Sequence, residues 1–169
     1  MPLPLLLQHY LGCAGITLHK MVDAMDRGGI ILQKKIAIEG CETFDTLLAK
    51  NYLEAPLLLQ QLLVNFEPLY RQAKPQQGGS DWPKLTAADQ RVNWNQSTSA
   101  VLKHQRSFGS LGVYAEIQGR ECLITAAQGA LQEHNFNAGE LIVLDEVRLI
   151  VATQEGFITV DRSHLLSLD

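Results

Sequence analysis

The sequence predicts a mixed α/β protein in which two strands and their helices are followed by a further helix and a small antiparallel β-barrel. Three observations carry this prediction. Apolar residues alternate over 15–22 and fill 30–38, as they do in β-strands. The apolar spacing then changes to a helical period over 43–64. In the last third of the chain, five short β-type runs are separated by turn residues.

The first two strands differ in character. Over 15–22, Ile16 and Leu18 fall on one face of the strand and Thr17 falls on the other, because successive side chains alternate. The run IILQKKIAI at 30–38 is more continuously apolar. Such a run is typical of a strand that is covered on both faces. The two segments together predict a fragment of sheet.

Helices are predicted on either side of this strand pair. The apolar residues of 4–11 indicate a short helix. A longer amphipathic helix covers 43–64 and is capped at Glu42 or Thr43. Its apolar stripe, which has to cover another element, consists of Phe44, Leu47, Leu48, Leu58, Leu59, Leu62 and Leu63.

A linker is predicted to divide the chain into two parts. Residues 67–90 combine prolines, paired glycines and polar residues without periodicity. A helix over 97–108, opened by a Ser or Thr cap and with Phe108 on its buried side, follows the linker. The β-type runs after it are GVYAEIQG, ECLITAAQ, GELIVLDE, RLIVATQ and GFITVDR, and their spacing predicts a barrel or sandwich. The predicted organisation is therefore 1–66, the linker, and 91–169.

Composition and charge limit the function classes. The chain is 46% hydrophobic and 19% charged, which is typical of a globular protein, and its formal charge of -4 disfavours a protein that coats nucleic acid. Residues 98–169 carry five basic and nine acidic side chains, so the excess negative charge lies in the second part. No apolar run approaches the ~20 residues of a membrane span. The unpaired cysteines Cys13, Cys41 and Cys122 fit a reducing compartment, and a cytoplasmic location is predicted.

Several kinds of site are not indicated by the sequence. The five histidines lack the spacing of zinc ligands, so no metal site is predicted. No glycine-rich phosphate loop and no nucleophile elbow is present. Lys103 and Arg106 lie one helical turn apart and could grip a phosphate, and the alternative is that they form a solvated helix face.

The stretch around Asp26 carries the clearest motif. Taken by itself, Asp26 followed by Gly28 and Gly29 is an ordinary turn between strands, since Gly supplies positive φ and Asp bonds its own backbone. The turn, however, lies within a longer pattern: G-x-T-x-H, then D-x-G-x-I-x-x-Q, then Glu42 and Thr43 opening a helix.

This pattern resembles the second half of the catalytic domain of the 10-formyltetrahydrofolate-dependent formyltransferases, the family that includes the methionyl-tRNA formyltransferases. Beyond the linker, the run from Trp94 through RSF to a Gly-bounded strand resembles the start of the family's C-terminal domain. The resemblance implies a remnant of a Rossmann-like domain followed by an OB-like barrel. No part of the sequence matches the family's first half or its Asn-x-His motif.

The resemblance also implies a chemistry. Family members transfer a formyl group from 10-formyltetrahydrofolate to an amine. Asp26 stands at the position of the catalytic carboxylate, and His19, Asp23, Gly28 and Gly29 stand where the family binds the folate. Without the Asn-x-His groups, weak or absent transfer is expected from these residues alone. The acidic second part favours a small amine acceptor over tRNA.

A second function class stays open. The chain is alternatively a non-catalytic binding or regulatory module, or the partner half of a split or dimeric assembly. A sheet edge that lacks a neighbour invites another strand, including one from a second copy. This alternative predicts a homodimer.

Overall fold

The computed structural model describes residues 4, 7, 12–78 and 82–167. We refer to 12–78 as the N-terminal region and to 82–167 as the C-terminal region. Of the predicted helix over 4–11, Pro4 and Leu7 are described and both are helical, while the rest of that helix lies outside the described residues. Across the described part of the chain, no helix has the length and apolar character needed to cross a membrane.

The N-terminal region is built on a two-stranded antiparallel sheet. Strand β1 (Cys13–His19) pairs with β2 (Ile30–Ala37), and Thr17 lies opposite Gln33. The prediction of a strand continuing to residue 22 is wrong, because a bulge after Leu18 and a bond from the Lys20 N–H to the Gly29 carbonyl lead the chain into a loop. The prediction that β2 is covered on both faces is also wrong.

Side-chain burial explains the second error. On β2 only Ile36 is buried, on the face where Ala14 of β1 lies opposite it, and Gln33, Lys34 and Lys35 are exposed. One face of the sheet packs on a helix, and on the other face Gln33 and Lys35 are exposed. The apolar character of the run therefore overstated its burial.

Helix α1 (Phe44–Val64) packs on this sheet and confirms the predicted helix. Thr43 is its N-cap: the Thr43 hydroxyl accepts from the Thr46 N–H at 3.1 Å, and the Thr46 hydroxyl accepts from the Thr43 N–H at 2.9 Å. Of the predicted apolar stripe only Leu47 and Leu58 are buried. The exposed large apolar residues of this helix are Tyr52, Leu53, Leu57, Leu59, Leu63 and Val64.

An ion pair between a buried carboxylate and a partly exposed lysine lies where α1 begins. The Glu42 side chain is only 3% exposed and accepts from Lys50 Nζ at 2.5 Å and from the Thr46 hydroxyl at 2.5 Å. Burial by itself raises the pKa of the Glu42 carboxyl, but the hydrogen bonds from Lys50 and Thr46 outweigh it, and the net pKa is lowered.

We expect Glu42→Gln to lower the free energy of unfolding by about 1–2 kcal/mol at pH 7. Because the folded-state pKa of Glu42 lies below its unfolded value, the pair stabilises the fold above the unfolded pKa, and this contribution is lost as pH falls through the folded pKa. Urea unfolding followed by helical circular dichroism should therefore show a difference between wild type and variant that shrinks under acid. Glu67→Gln is the control. It breaks the exposed ion pair between Glu67 and Arg71 and should change the free energy of unfolding little. If the difference in unfolding free energy between wild type and Glu42→Gln stayed the same in acid, the stabilising role of the ionised Glu42 carboxylate would be wrong.

The first part of the predicted linker forms regular structure. Helix α2 (Phe66–Arg71) directly follows α1, and the chain then returns to the sheet, where Ile30 and Lys74 form an antiparallel bridge. The Lys74 N–H donates to the Ile30 carbonyl at 2.9 Å, and the Ile30 N–H donates to the Lys74 carbonyl at 2.7 Å. The sequence prediction missed both features, and they place residues 66–76 beside the loop between β1 and β2.

The C-terminal region contains a helix and seven strands. Helix α3 (Thr98–Phe108) is capped by Ser97, as predicted, and leads through a 3₁₀ turn (Gly109–Leu111) into the strands. The strands are β3 (Val113–Ile117), β4 (Arg120–Ile124), β5 (Gln128–Leu131), β6 (Leu141–Leu144), β7 (Arg148–Ala152), β8 (Gly156–Asp161) and β9 (Leu165–Ser167), with a 3₁₀ turn (Arg162–His164) before β9. The five predicted runs correspond to β3, β4, β6, β7 and β8, and the prediction missed β5 and β9.

These strands form two antiparallel sheets among the described residues. One has the order β3-β4-β9 and the other has the order β5-β8-β7-β6. The closure of the sheets into an OB-like barrel stays a prediction. The core between α3 and the sheets consists of Val101, Phe108, Val113, Ala115, Ile117, Cys122, Ile124, Leu149, Val151, Ile158 and Val160.

The two regions differ in the size of their cores. In the N-terminal region the buried apolar cluster consists of Leu7, Ala14, Ile36 and Leu47 among the described residues. Asp45, in the first turn of α1, links the N-terminal region to the C-terminal region. Its carboxylate accepts from the Ser110 N–H at 2.9 Å and from the Ser110 hydroxyl at 2.5 Å. The beginning of α1 is therefore anchored to the C-terminal region.

Candidate functional site

The candidate site is the loop of residues 20–29 that joins β1 to β2. Its two ends are held together by the bond from the Lys20 N–H to the Gly29 carbonyl, at 2.9 Å. Between them the chain makes a turn in which the Arg27 N–H donates to the Ala24 carbonyl, at 3.4 Å. Asp26 has a φ of +54°, a left-handed conformation that Asp tolerates better than most residues. The stretch does turn between the strands, as interpreted, but the positive φ lies at Asp26 and not at Gly28 or Gly29.

The turn brings Asp26 to His19. His19 Nε2 lies 3.7 Å from Asp26 Oδ1, and His19 Nδ1 lies 2.9 Å from the Lys20 carbonyl oxygen. A carbonyl can only accept, so His19 Nδ1 donates to it, and Nε2 is the ring nitrogen that faces Asp26. The Asp26 side chain is 88% exposed and that of His19 is 26% exposed. A ligand can therefore reach this carboxylate, and the imidazole lies beside it.

Gly28 is the buried residue of the loop. A Cβ at this position would overlap the Lys20 carbonyl oxygen and would lie 3.2 Å from His19 Nδ1. Only Gly permits this close approach of backbone to backbone. Gly28 therefore holds the Lys20 carbonyl where it fixes the His19 ring, and Gly29 closes the loop through its carbonyl.

Residues from the predicted linker clamp the loop. The Gln76 side-chain amide donates to the Gly28 carbonyl at 2.7 Å, and Lys20 Nζ lies 4.2 Å from the centre of the Tyr70 ring. Together with the Lys74 bridge, these contacts position the loop from outside the sheet. Sequence reasoning missed them because the stretch carries no periodic signal, and its contacts depend on a long-range return of the chain.

The other residues of the motif lie on the same open face of the sheet. Gln33 Nε2 donates to the Thr17 hydroxyl at 2.9 Å across the strand pair. Thr17 and His19 are two residues apart on β1, so both point to the face opposite α1. Asp23 is exposed, and it makes no hydrogen bond or ion pair with another described residue. The structure therefore brings His19, Asp26 and Gly28 together, and it leaves Asp23 on the loop surface.

The second sequence candidate, Lys103 with Arg106, lies elsewhere. Both side chains are half-buried and line a small cavity with Glu39, Gly40 and Glu42. Burial and the nearby Arg106 charge lower the pKa of Lys103. The interpretation of these residues as a solvated helix face is therefore wrong. The carboxylates of Glu39 and Glu42 in the same cavity also disfavour a bound phosphate. Within the described ranges, no group of three or more His, Cys, Asp or Glu side chains is arranged to hold a metal ion.

Comparison with known proteins gives a consistent result. Residues 84–166 match the family model described as formyl transferase, C-terminal domain. The methionyl-tRNA formyltransferase of Pseudothermotoga lettingae is 26% identical over 149 residues, which are 88% of this chain and 49% of that protein. The chain therefore spans about half the length of this curated relative.

Solved structures share the fold of this chain. HypX from Aquifex aeolicus aligns with a TM-score of 0.79 and 21% identity, over 99% of this chain and 30% of HypX. An N-formyltransferase from Helicobacter canadensis aligns with a TM-score of 0.62 and 17% identity, over 92% of this chain and 58% of that one. HypX has been solved with tetrahydrofolic acid, and the H. canadensis enzyme with folinic acid and dTDP-3-aminofucose. The predicted fold class is confirmed.

Proposed function

Because the chain belongs to the formyltransferase family, we propose that it supplies the carboxylate and the folate-contacting loop of a site that transfers a formyl group from 10-formyltetrahydrofolate to an amine. The observation that carries this proposal is the position of His19 Nε2, 3.7 Å from Asp26 Oδ1, at the open face of the sheet. The relatives solved with folates support the choice of donor.

In this role the Asp26 carboxylate accepts a proton from the attacking amine. An amine that attacks a formyl carbon becomes positively charged and has to lose a proton before the new C–N bond is stable. Asp26 is exposed and can accept that proton, directly or through a water, and His19 Nε2 lies 3.7 Å from its carboxylate. Asp23, Gly28 and Gly29 are proposed to face the folate from the loop.

The negative charge that forms on the formyl oxygen needs donors from elsewhere. The 169 residues contain no Asn-x-His. Removal of one oxyanion donor typically costs about 100- to 1000-fold in rate. We therefore propose that these residues alone transfer formyl groups weakly or not at all, and that a complete site includes donors beyond them.

The charge distribution bears on the acceptor. Residues 98–169 carry five basic and nine acidic side chains, a field that repels a polyanion such as tRNA. The N-formyltransferase from Helicobacter canadensis has been solved in complex with dTDP-3-aminofucose, and the relative from Pseudothermotoga lettingae is a methionyl-tRNA formyltransferase. We propose a small amine as the acceptor.

Titration of the 169-residue chain with 5-formyltetrahydrofolate, a stable formyl-folate, tests the proposed site. Calorimetry should show saturable binding that Asp26→Ala weakens by about tenfold or more, because a hydrogen bond to a charged group is lost. Glu146→Gln, which removes an exposed carboxylate on a turn of the C-terminal region, should leave the affinity unchanged. A chain that is folded by circular dichroism but binds no folate would overturn the proposal.

A second function has one observation in its favour. Large apolar side chains of α1 are exposed from its middle to its end: Leu53 is 73% exposed and Leu63 is 68% exposed. A helix with apolar side chains around its circumference is normally covered. The alternative is a non-catalytic module, or the partner half of a split or homodimeric assembly, and absence of folate binding in the titration above would favour it.

A further inference from the structure

A cavity of about 340 Å³ opens in the C-terminal region, away from the loop of Asp26. It lies between the end of β3 and the start of β4 in one sheet and the β6–β7 connection of the other. Its volume falls in the range of small-molecule sites. The lining residues are Ile117, Arg120, Glu121, Cys122, Leu144, Leu149, Arg162 and Leu165.

The wall of this cavity is apolar. Ile117, Cys122 and Leu149 are buried core residues, and Leu165 is half-buried. Burial raises the pKa of the Cys122 thiol to about 11, so the thiol is neutral near pH 7, and it donates to the Ala115 carbonyl at 3.4 Å. This wall therefore offers hydrocarbon and sulfur surface without an unpaired charge.

Two arginines stand at the same cavity. Arg120 begins β4 and is held opposite Ile117 by the strand register, and Arg162 is held by its N–H, which donates to the Val147 carbonyl at 2.8 Å. Neither guanidinium forms an ion pair with a carboxylate in the described part of the chain. Both are exposed at the cavity while their backbones are fixed.

The acidic groups nearby are already engaged. Glu121, which lines the cavity, is ion-paired with Arg91. Asp145 interacts electrostatically with Arg162. Its carboxylate, however, already accepts from the N–H groups of Val147 and Arg148, both at 2.8 Å. A positive rim on an apolar cavity is therefore left in a region whose formal charge is otherwise negative.

We propose that this cavity binds a small amphipathic carboxylate. The carboxylate lies between Arg120 and Arg162, where the planar guanidinium groups match its geometry. The hydrocarbon part of the ligand covers Ile117, Leu149 and Leu165. The site is separate from the loop at Asp26, and it does not depend on the proposed formyl transfer.

The experiment is a titration of the ¹⁵N-labelled chain with octanoate, followed by amide chemical shifts. Saturable shifts are expected at Ile117, Cys122, Leu149 and Leu165. The double variant Arg120→Gln/Arg162→Gln should bind octanoate about tenfold more weakly, since each exposed ion pair contributes a few-fold. Acetate, which lacks the hydrocarbon part, and 1-octanol, which lacks the charge, should each bind the wild type more weakly than octanoate does.

Arg71→Gln is the control, because Arg71 is an exposed arginine in α2 that does not line the cavity. It should retain wild-type affinity. Saturable shifts confined to α1, an absence of saturable shifts, or equal octanoate affinity in the double variant and the wild type would each overturn the proposal. The 5-formyltetrahydrofolate affinity should be unchanged by the double variant.

Discussion

Gly28→Ala is expected to open the loop between β1 and β2 and to destabilise the N-terminal region by about 2–3 kcal/mol. The new Cβ would overlap the Lys20 carbonyl oxygen, which is backbone and cannot rotate away. That carbonyl also accepts from His19 Nδ1, so its displacement frees the ring that faces Asp26. We therefore expect loss of amide protection at Lys20 in hydrogen exchange, together with loss of 5-formyltetrahydrofolate binding.

Gly40→Ala is the matched control for this substitution. It introduces the same methyl group into the same region, and nothing lies within 4 Å of its Cβ position. A change within about 0.5 kcal/mol is expected. If Gly28→Ala kept both the protection of the Lys20 amide and the wild-type stability, the close contact described for this loop would be wrong. Loss of protection with retained folate binding would instead separate the loop geometry from the proposed function.

Local sequence signals predicted the elements whose stability is local. Thr43 and Ser97 cap α1 and α3 through their own side chains, and these helices begin within a residue of the predicted starts. The strands β5 and β9 were missed because they are short, and their partners β8 and β4 are distant in sequence. Such strands form because a neighbour offers hydrogen bonds, and their own residues carry little signal.

Burial was the weaker part of the prediction in the N-terminal region. An alternating or continuous apolar pattern shows which residues can be buried, but whether they are buried depends on a covering element. The stripe of α1 extends to Leu63, yet Leu58 is its last buried residue. The same reasoning succeeded for Phe108, because two sheets lie against α3.

At the candidate site, the sequence predicted which side chains come together and missed the contacts that hold them. The motif predicted His19 on the strand that enters the loop of Asp26 and Gly28, and the hairpin brings His19 Nε2 within 3.7 Å of Asp26 Oδ1. The sequence could not predict the hydrogen bond from Gln76 to the Gly28 carbonyl, because an isolated polar residue in a Pro- and Gly-containing stretch gives no indication of its partner. The role of Gly28 in close backbone contact also needs the three-dimensional fold.

Phe108→Ala is expected to have the largest effect on global stability, a loss of about 3–5 kcal/mol in the free energy of unfolding. Phe108 is 0% exposed, the largest of the fully buried side chains, and its ring lies 5.2 Å from that of His104 at the end of α3. Truncation removes contacts with the core and leaves a cavity between α3 and the strands. Urea unfolding followed by the fluorescence of Trp94, which packs against this core, measures the effect.

Phe136→Ala provides the comparison within the same region. The Phe136 side chain is 46% exposed and contacts the rings of His134 and Phe157 at the surface. Its truncation should cost about 1 kcal/mol or less, because little apolar area returns to water and no closed cavity forms. Equal losses in the two variants would mean that α3 does not seal the core as described, whereas a large loss for Phe108 alone would identify the α3 interface as the main source of stability in the chain.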